Sequence, residues 1–207
     1  ADYYSGWGGS GLYGGDGDDV IDATGAGYGP SLYGDAGNDT LLGGSSYETM
    51  HGGTGDDIID GNYGFDYLWG DEGNDTIDGG SFGDSLYGGD GNDTLYGAGD
   101  ADNIYGGTGN DTLYGDYSLI GSGNALSPSS NDDYLFGGDG ADVIHGDLGN
   151  DVLWSGNAAT DGSYVGVRDS GTEHDQVFGD AGDDQLSIGY GDDADGGTGT
   201  DTLSISL

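Results

Sequence analysis

The sequence predicts an all-β fold: a parallel solenoid with two short strands and two turns in each 18-residue coil. Three observations carry that expectation. An apolar residue recurs at every ninth position, as Leu32, Leu41, Met50, Ile59, Leu68, Ile77, Leu86, Leu95, Ile104 and Leu113, then Leu135, Ile144 and Leu153, then Val177 and Leu186. A turn rich in Gly and Asp precedes these residues, as in GGDGND at 88–93 or GGTGND at 106–111. The well-formed turns fall on alternate repeats, so one strong and one weak turn make up each coil. A short fixed period marks a repeat architecture, in which each unit buries its apolar residue only by stacking on neighbours.

In chain order, the strong turns are 14–19 (GGDGDD), 34–39 (GDAGND), 52–57 (GGTGDD), 70–75 (GDEGND), 88–93 (GGDGND), 106–111 (GGTGND) and 137–142 (GGDGAD). The weak turns between them are 25–30 (GAGYGP), 43–48 (GGSSYE), 61–66 (GNYGFD), 79–84 (GGSFGD) and 97–102 (GAGDAD). Glycine permits positive φ and lets backbone carbonyls converge on an ion that a Cβ would obstruct, which selects Gly34, Gly52, Gly70, Gly88 and Gly106. The aspartate at the sixth turn position can reach the same ion. That selects Asp19, Asp39, Asp57, Asp75, Asp93, Asp111 and Asp142 as first-choice ligands. By strand alternation the eighth residue enters a core between two facing sheets, and the seventh and ninth point outward. One apolar side chain per half-coil makes a thin core, so metal coordination has to supply much of the folding free energy.

Composition leads to the same cation. The 207 residues carry a formal net charge of −39 and include 51 glycines, a single Lys or Arg (Arg168) and no cysteine. Carboxylates at that density oppose compaction and leave the free chain an expanded coil. An oxygen-rich chain without thiols points to Ca²⁺ or Mg²⁺, and away from Zn²⁺ or an iron–sulfur cluster. Nucleic acid is excluded by sign. No apolar run approaches the roughly 18 to 20 residues that span a bilayer, so no membrane insertion is expected. The absence of cysteine permits an oxidising compartment without indicating one. The period runs nearly end to end, which predicts one domain over residues 1–207.

These turns resemble the repeats-in-toxin (RTX) family, whose nonapeptide GGxGxDxUx forms a parallel β-roll with Ca²⁺ held between successive turns. The resemblance rests on seven strong copies in one register and extends over most of the chain. Seven stacked strong turns with an ion between each neighbouring pair would hold about six Ca²⁺ on one edge, and roughly six or more in all. On the opposite edge side chains are expected to take the place of ions, with partial sites at Asp84 and Asp102. Later strong turns at 146–151 (GDLGND) and 179–184 (GDAGDD) fall on that edge and add Asp151 and Asp184 as further ligands.

Two insertions, at about 116–130 and 155–171, are expected to project from the roll without changing the strand phase. Such excursions often carry function, and are also tolerated where they carry none. Near the C-terminal side, Asp195 falls where an apolar core residue is due, and the strand from Thr202 comes one residue early. This predicts the end of the roll, a cap, or a cut through a longer chain.

The ninth position after weak turns reads Tyr13, Tyr33, His51, Trp69, Tyr87, Tyr105, Phe136 and Trp154. With coils about 4.8 Å apart, these residues form a stripe roughly 35 to 40 Å long. Two interpretations stand: the rings only stabilise the sheet by stacking, or Tyr33, His51, Trp69, Tyr87, Tyr105 and Trp154 dock another surface protein, a second copy of the chain, or a glycan.

No enzyme is expected. His51, His145 and His174 form no recognisable triad, and paired aspartates are too common here to identify acid–base chemistry. The resemblance instead implies a link to exported proteins, since such rolls form C-terminal secretion and folding modules of proteases, lipases and epimerases. Ice binding would require a regular outward array, and the third turn position varies as Asp16, Ala36, Thr54, Glu72, Asp90, Thr108 and Asp139. The leading expectation is a secreted, calcium-dependent β-roll, exported by type I secretion, with a structural or adhesive role at the cell surface. The second is a module of a larger exported enzyme or adhesin.

Overall fold

The computed structural model describes residues 3–5, 11–116, 131–156 and 174–205. Its first ten strands are β1 (Tyr3–Ser5), β2 (Leu12–Asp16), β3 (Val20–Asp22), β4 (Ser31–Ala36), β5 (Thr40–Leu42), β6 (Thr49–Thr54), β7 (Ile58–Asp60), β8 (Tyr67–Glu72), β9 (Thr76–Ser81) and β10 (Ser85–Asp90). The next ten are β11 (Thr94–Gly99), β12 (Asn103–Thr108), β13 (Thr112–Tyr114), β14 (Tyr134–Asp139), β15 (Val143–His145), β16 (Val152–Trp154), β17 (Gln176–Phe178), β18 (Gln185–Ile188), β19 (Asp193–Asp195) and β20 (Thr202–Ile205). No helix occurs among the described residues.

All odd strands form one ten-stranded sheet and all even strands another, each in sequence order. Every pairing is parallel; in the central coils Leu86 lies between Leu68 and Ile104, one coil away on either side. The fold is therefore a parallel β-solenoid. Successive side chains of a strand point to opposite faces. Accordingly Ile21, Leu41, Ile59, Ile77, Leu95, Leu113, Ile144 and Val177 of the odd sheet are fully buried against Leu32, Met50, Leu68, Leu86, Ile104, Leu135 and Leu153 of the even sheet.

The turns depend on left-handed backbone. In 88–93, Gly89 and Gly91 have φ of 119° and 143°, and a Cβ on Gly91 would collide with the carbonyl of Gly73 in the preceding coil. Where the second turn position is not glycine it is usually Asp, as at Asp35, Asp71, Asp147 and Asp180 with φ between 65° and 75°. Asp tolerates this region better than bulkier residues.

The coil length departs from 18 residues at five places, the first between β1 and β3, where Tyr3 lies opposite Val20, 17 residues on. Corresponding residues lie 20 apart at the first weak turn, 31 and 33 apart at the two insertions, and 17 apart near the C-terminal side. Apart from Asp116, the first predicted insertion lies outside the described residues; of the second, only Ser155 and Gly156 lie within them. The expectation for Asp195 is corrected. The 17-residue spacing puts Ala194 opposite the core residue Val177, and Asp195 stands beside the outward Phe178. The early strand β20 stays in register, with Leu203 opposite Leu186.

Candidate metal sites on the two edges

One edge consists of the turns that lead from even to odd strands, and the other of the turns that lead back. On the first edge the backbone N–H of each sixth-position aspartate donates to Oδ1 of the next. The ladder runs Asp19 to Asp39 at 2.7 Å, Asp39 to Asp57 at 2.6 Å, and then Asp57 to Asp75, Asp75 to Asp93, Asp93 to Asp111 and Asp111 to Asp142 at 2.8 Å. It continues from Asp142 to Asp175 at 2.8 Å. The second edge repeats the arrangement: Glu48 to Asp66 at 2.6 Å, Asp66 to Asp84 and Asp84 to Asp102 at 2.7 Å, Asp102 to Asp133 and Asp133 to Asp151 at 2.8 Å, and Asp151 to Asp184 at 2.9 Å.

Each ladder hydrogen bond engages one oxygen of a carboxylate. The other oxygen, Oδ2, has no hydrogen-bond partner at Asp39, Asp57, Asp75, Asp93 and Asp111 on the first edge, or at Asp66, Asp84, Asp102, Asp133, Asp151 and Asp184 on the second, and Oε1 of Glu48 also has none. All twelve of these residues are at most 1% exposed. Buried polar atoms are ordinarily satisfied, and an isolated buried carboxylate is costly. A row of such atoms calls for a cation.

The predicted glycines complete the site. A Cβ added at Gly34, Gly52, Gly70, Gly88 or Gly106 would lie closer than 3.0 Å both to Oδ2 of the aspartate closing the same turn and to the carbonyl of the facing glycine in the next coil. Gly34 faces Gly14, Gly52 faces Gly34, and the series continues through Gly70, Gly88 and Gly106 to Gly137, so all five predicted glycines present a carbonyl to the preceding turn. Gly61, Gly79, Gly97, Gly115, Gly146 and Gly179 form equivalent cradles on the second edge. Among the described residues no three His, Asp or Glu side chains are grouped to hold a metal, so the donors combine one carboxylate per turn with main-chain carbonyls. This hard oxygen set fits Ca²⁺. Asp39, Asp57, Asp75, Asp93 and Asp111 would hold the ion on one edge, and Asp66, Asp84, Asp102, Asp133, Asp151 and Asp184 on the other.

Fifth-position side chains form a second ladder that runs in the opposite direction. The N–H of Asn92 donates to Oδ1 of Asn74 at 2.9 Å, and that of Asn110 to Oδ1 of Asn92 at 2.8 Å. Each turn is thus tied to the coil ahead by its sixth residue and to the coil behind by its fifth.

Burial raises the carboxyl pKa values, and neighbouring carboxylates add to the effect. Asp57, Asp75, Asp93 and Asp66 are pushed to about 7 and Asp111 to about 6, chiefly by desolvation. Asp133 rises to about 8, and Asp84 and Asp151 to about 9. An unfolded aspartate titrates near 3.9, so between about pH 4 and these raised values the ion-free fold binds more protons than the coil. Its stability then falls as pH rises through that window and returns as pH falls. In excess chelator, acidification from about pH 9 to about pH 4.5 is expected to shrink the hydrodynamic radius. Dynamic light scattering measures this, and an unchanged radius contradicts it.

The predicted aromatic stripe lies on the outer face of the even sheet as one continuous stack. Centroids are 5.4 Å apart for Tyr33–His51, 4.6 Å for His51–Trp69, 5.2 Å for Trp69–Tyr87, 4.9 Å for Tyr87–Tyr105 and 4.4 Å for Phe136–Trp154. Planes within these pairs differ by only 2–7°, so the rings cover one another's faces, and Trp154 is 5% exposed. His51 Nδ1 also pairs with Asp71 Oδ2 at 3.0 Å. A second stack, Tyr96, Tyr114, His145 and Phe178, occupies the odd sheet. The insertions separate its last members in sequence.

A family model for the RTX calcium-binding nonapeptide repeat, in four copies, matches residues 12–26, 31–46, 51–86, 78–113, 129–159 and 169–194. These segments cover well over half of the chain. No curated protein matches it.

Proposed function

Because the chain belongs to the family of RTX calcium-binding nonapeptide repeats, we propose that it is a secreted, non-enzymatic β-roll that folds on Ca²⁺ outside the cell and serves there as a structural or adhesive element. The observation that carries this reading is the pair of carboxylate ladders, whose inward oxygens have no hydrogen-bond partner from Asp39 to Asp111 and from Glu48 to Asp184. A fold whose interior edges are lined by such oxygens depends on the free Ca²⁺ around it. Binding to the folded state alone shifts the equilibrium by mass action. Where Ca²⁺ is scarce the acidic chain stays extended and suited to export through a narrow channel, and millimolar Ca²⁺ outside then drives folding.

Support for a single working unit over residues 1–207 comes from the strand order, which continues through both sheets from β1 to β20. No described helix is long and apolar enough to cross a membrane. The aromatic stack on the even sheet offers mainly ring edges, and we assign it first to cohesion of the sheet. Docking of a surface protein, a second copy of the chain or a glycan would use those edges at Tyr33, His51, Trp69, Tyr87 and Tyr105.

Multi-angle light scattering of the purified chain, first in chelator and then in about 1 mM Ca²⁺, tests the structural role. We expect an expanded monomer to compact and then grow into oligomers as protein concentration rises. A compact monomer at every concentration would overturn the structural-subunit reading in favour of a folding module within a larger exported protein.

A further inference from the structure

On the second edge, the first four turns differ from the rest of the roll. Positions that hold Gly, Asp, Asn or Ala in strong turns here hold Tyr28, Tyr47, Phe65 and Phe82, which are 88, 68, 48 and 46% exposed. These four residues wall an open groove of about 590 Å³, with Gly27, Gly29 and Gly64 also among its lining residues. Phe82 occupies the fourth turn position with φ of 77°. All seven strong turns place glycine there. A bulky residue in left-handed backbone is an outlier that points to a function for its side chain.

Ring geometry separates this groove from the stack on the sheet. Tyr47 and Phe65 are 5.7 Å apart and inclined by 36°, and Phe65 and Phe82 are 5.5 Å apart and inclined by 41°. Along the sheet the planes of Tyr33–His51 and Phe136–Trp154 differ by only 5° and 2°. The groove rings are splayed, leaving π-faces uncovered.

Charge selects the occupant. Tyr47, Phe65 and Phe82 belong to turns closed by Glu48, Asp66 and Asp84. The chain carries −39, more than a dozen divalent ions would neutralise, and its one Lys or Arg lies outside the described residues. Among the described residues no Lys or Arg offers an anion a partner, and a neutral sugar gains nothing from the field. A quaternary ammonium ion gains from both the field and the ring faces, and it has no N–H that needs hydrogen-bond acceptors. We propose that the groove between Tyr28 and Phe82 binds a small soluble quaternary ammonium compound of the choline class. A free solute is favoured over a phosphocholine lipid because no described cation would pair with the phosphate.

Calorimetric titration of the calcium-loaded chain with choline tests this. The expected Kd is on the order of 1 mM, with the uncharged isostere 3,3-dimethylbutan-1-ol binding about tenfold more weakly. Phe82→Gly restores the residue the backbone prefers, so it is expected to leave calcium-dependent folding intact while weakening choline at least about tenfold. Equal binding of choline and its isostere, no choline binding at about 10 mM, unchanged affinity in Phe82→Gly, or binding only to phosphatidylcholine vesicles would each overturn the proposal.

Discussion

Gly88→Ala is expected to raise the Ca²⁺ concentration needed for folding at least about tenfold, whereas Gly25→Ala leaves it nearly unchanged. Gly88 does not adopt positive φ, so alanine strains nothing in its own backbone. The added methyl would instead fall between Oδ2 of Asp93 and the carbonyl of Gly106, closer to both than the 3.0 Å that real Cβ atoms keep. Neither neighbour can withdraw: the other oxygen of Asp93 accepts from Asp75 at 2.8 Å, and Gly106 lies inside strand β12. Overpacking alone costs about 1 to 3 kcal/mol, and displacement of the ion adds to that. Gly25 has nothing within 4 Å of its Cβ position, and alanine there costs little while reducing the freedom of the unfolded chain. A calcium titration followed by far-ultraviolet circular dichroism compares the two variants. Equal midpoints would mean that the cradles do not hold the ion.

How far the sequence was legible depended on its spacing. The ninefold recurrence of apolar residues put Leu86, Leu95 and Ile104 in the core, and all three are fully buried. The outward alternation likewise brought Tyr33, His51, Trp69, Tyr87 and Tyr105 into one row. What spacing could not reach lay beyond a change of coil length. Asp133 and Asp175 belong to the two ladders, but insertions place them 31 and 33 residues from their partners Asp102 and Asp142. The same effect hid the continuation of the odd-sheet stack from Tyr114 to His145. Asp195 was assigned to the core by counting nines, and one missing residue in the coil transferred that place to Ala194.

The second edge is less legible in the sequence for a different reason. Its first turns look degraded at positions four and five, where Tyr28, Tyr47, Phe65 and Phe82 stand, and side chains were expected to take the place of ions there, with partial sites at Asp84 and Asp102 and further ligands at Asp151 and Asp184. The oxygen cradle, however, needs only the opening glycine and the closing acid. Gly61 and Asp66, Gly79 and Asp84, and Gly97 and Asp102 retain both. Aromatic residues at the intervening positions point away from the cradle, so the same turns can present a groove outward and oxygens inward.

Withdrawal of calcium is expected to have the largest effect of all. Two facing rows of single apolar side chains form most of the core among the described residues, while the buried edges gather carboxylates that desolvation pushes as high as about 9 at Asp84 and Asp151. At neutral pH and without ions, folding must either protonate these groups or bury them charged. A site at about 100 times its Kd contributes about 2.7 kcal/mol, so the five cradles from Gly34 to Gly106 supply an amount comparable with the whole net stability of a typical domain, about 5 to 15 kcal/mol. The decisive measurement is the far-ultraviolet circular dichroism spectrum of the full chain at neutral pH in excess chelator, repeated after Ca²⁺ is restored. A coil spectrum that converts cooperatively to β structure is the predicted result. A β-rich spectrum that persists in excess chelator would contradict it.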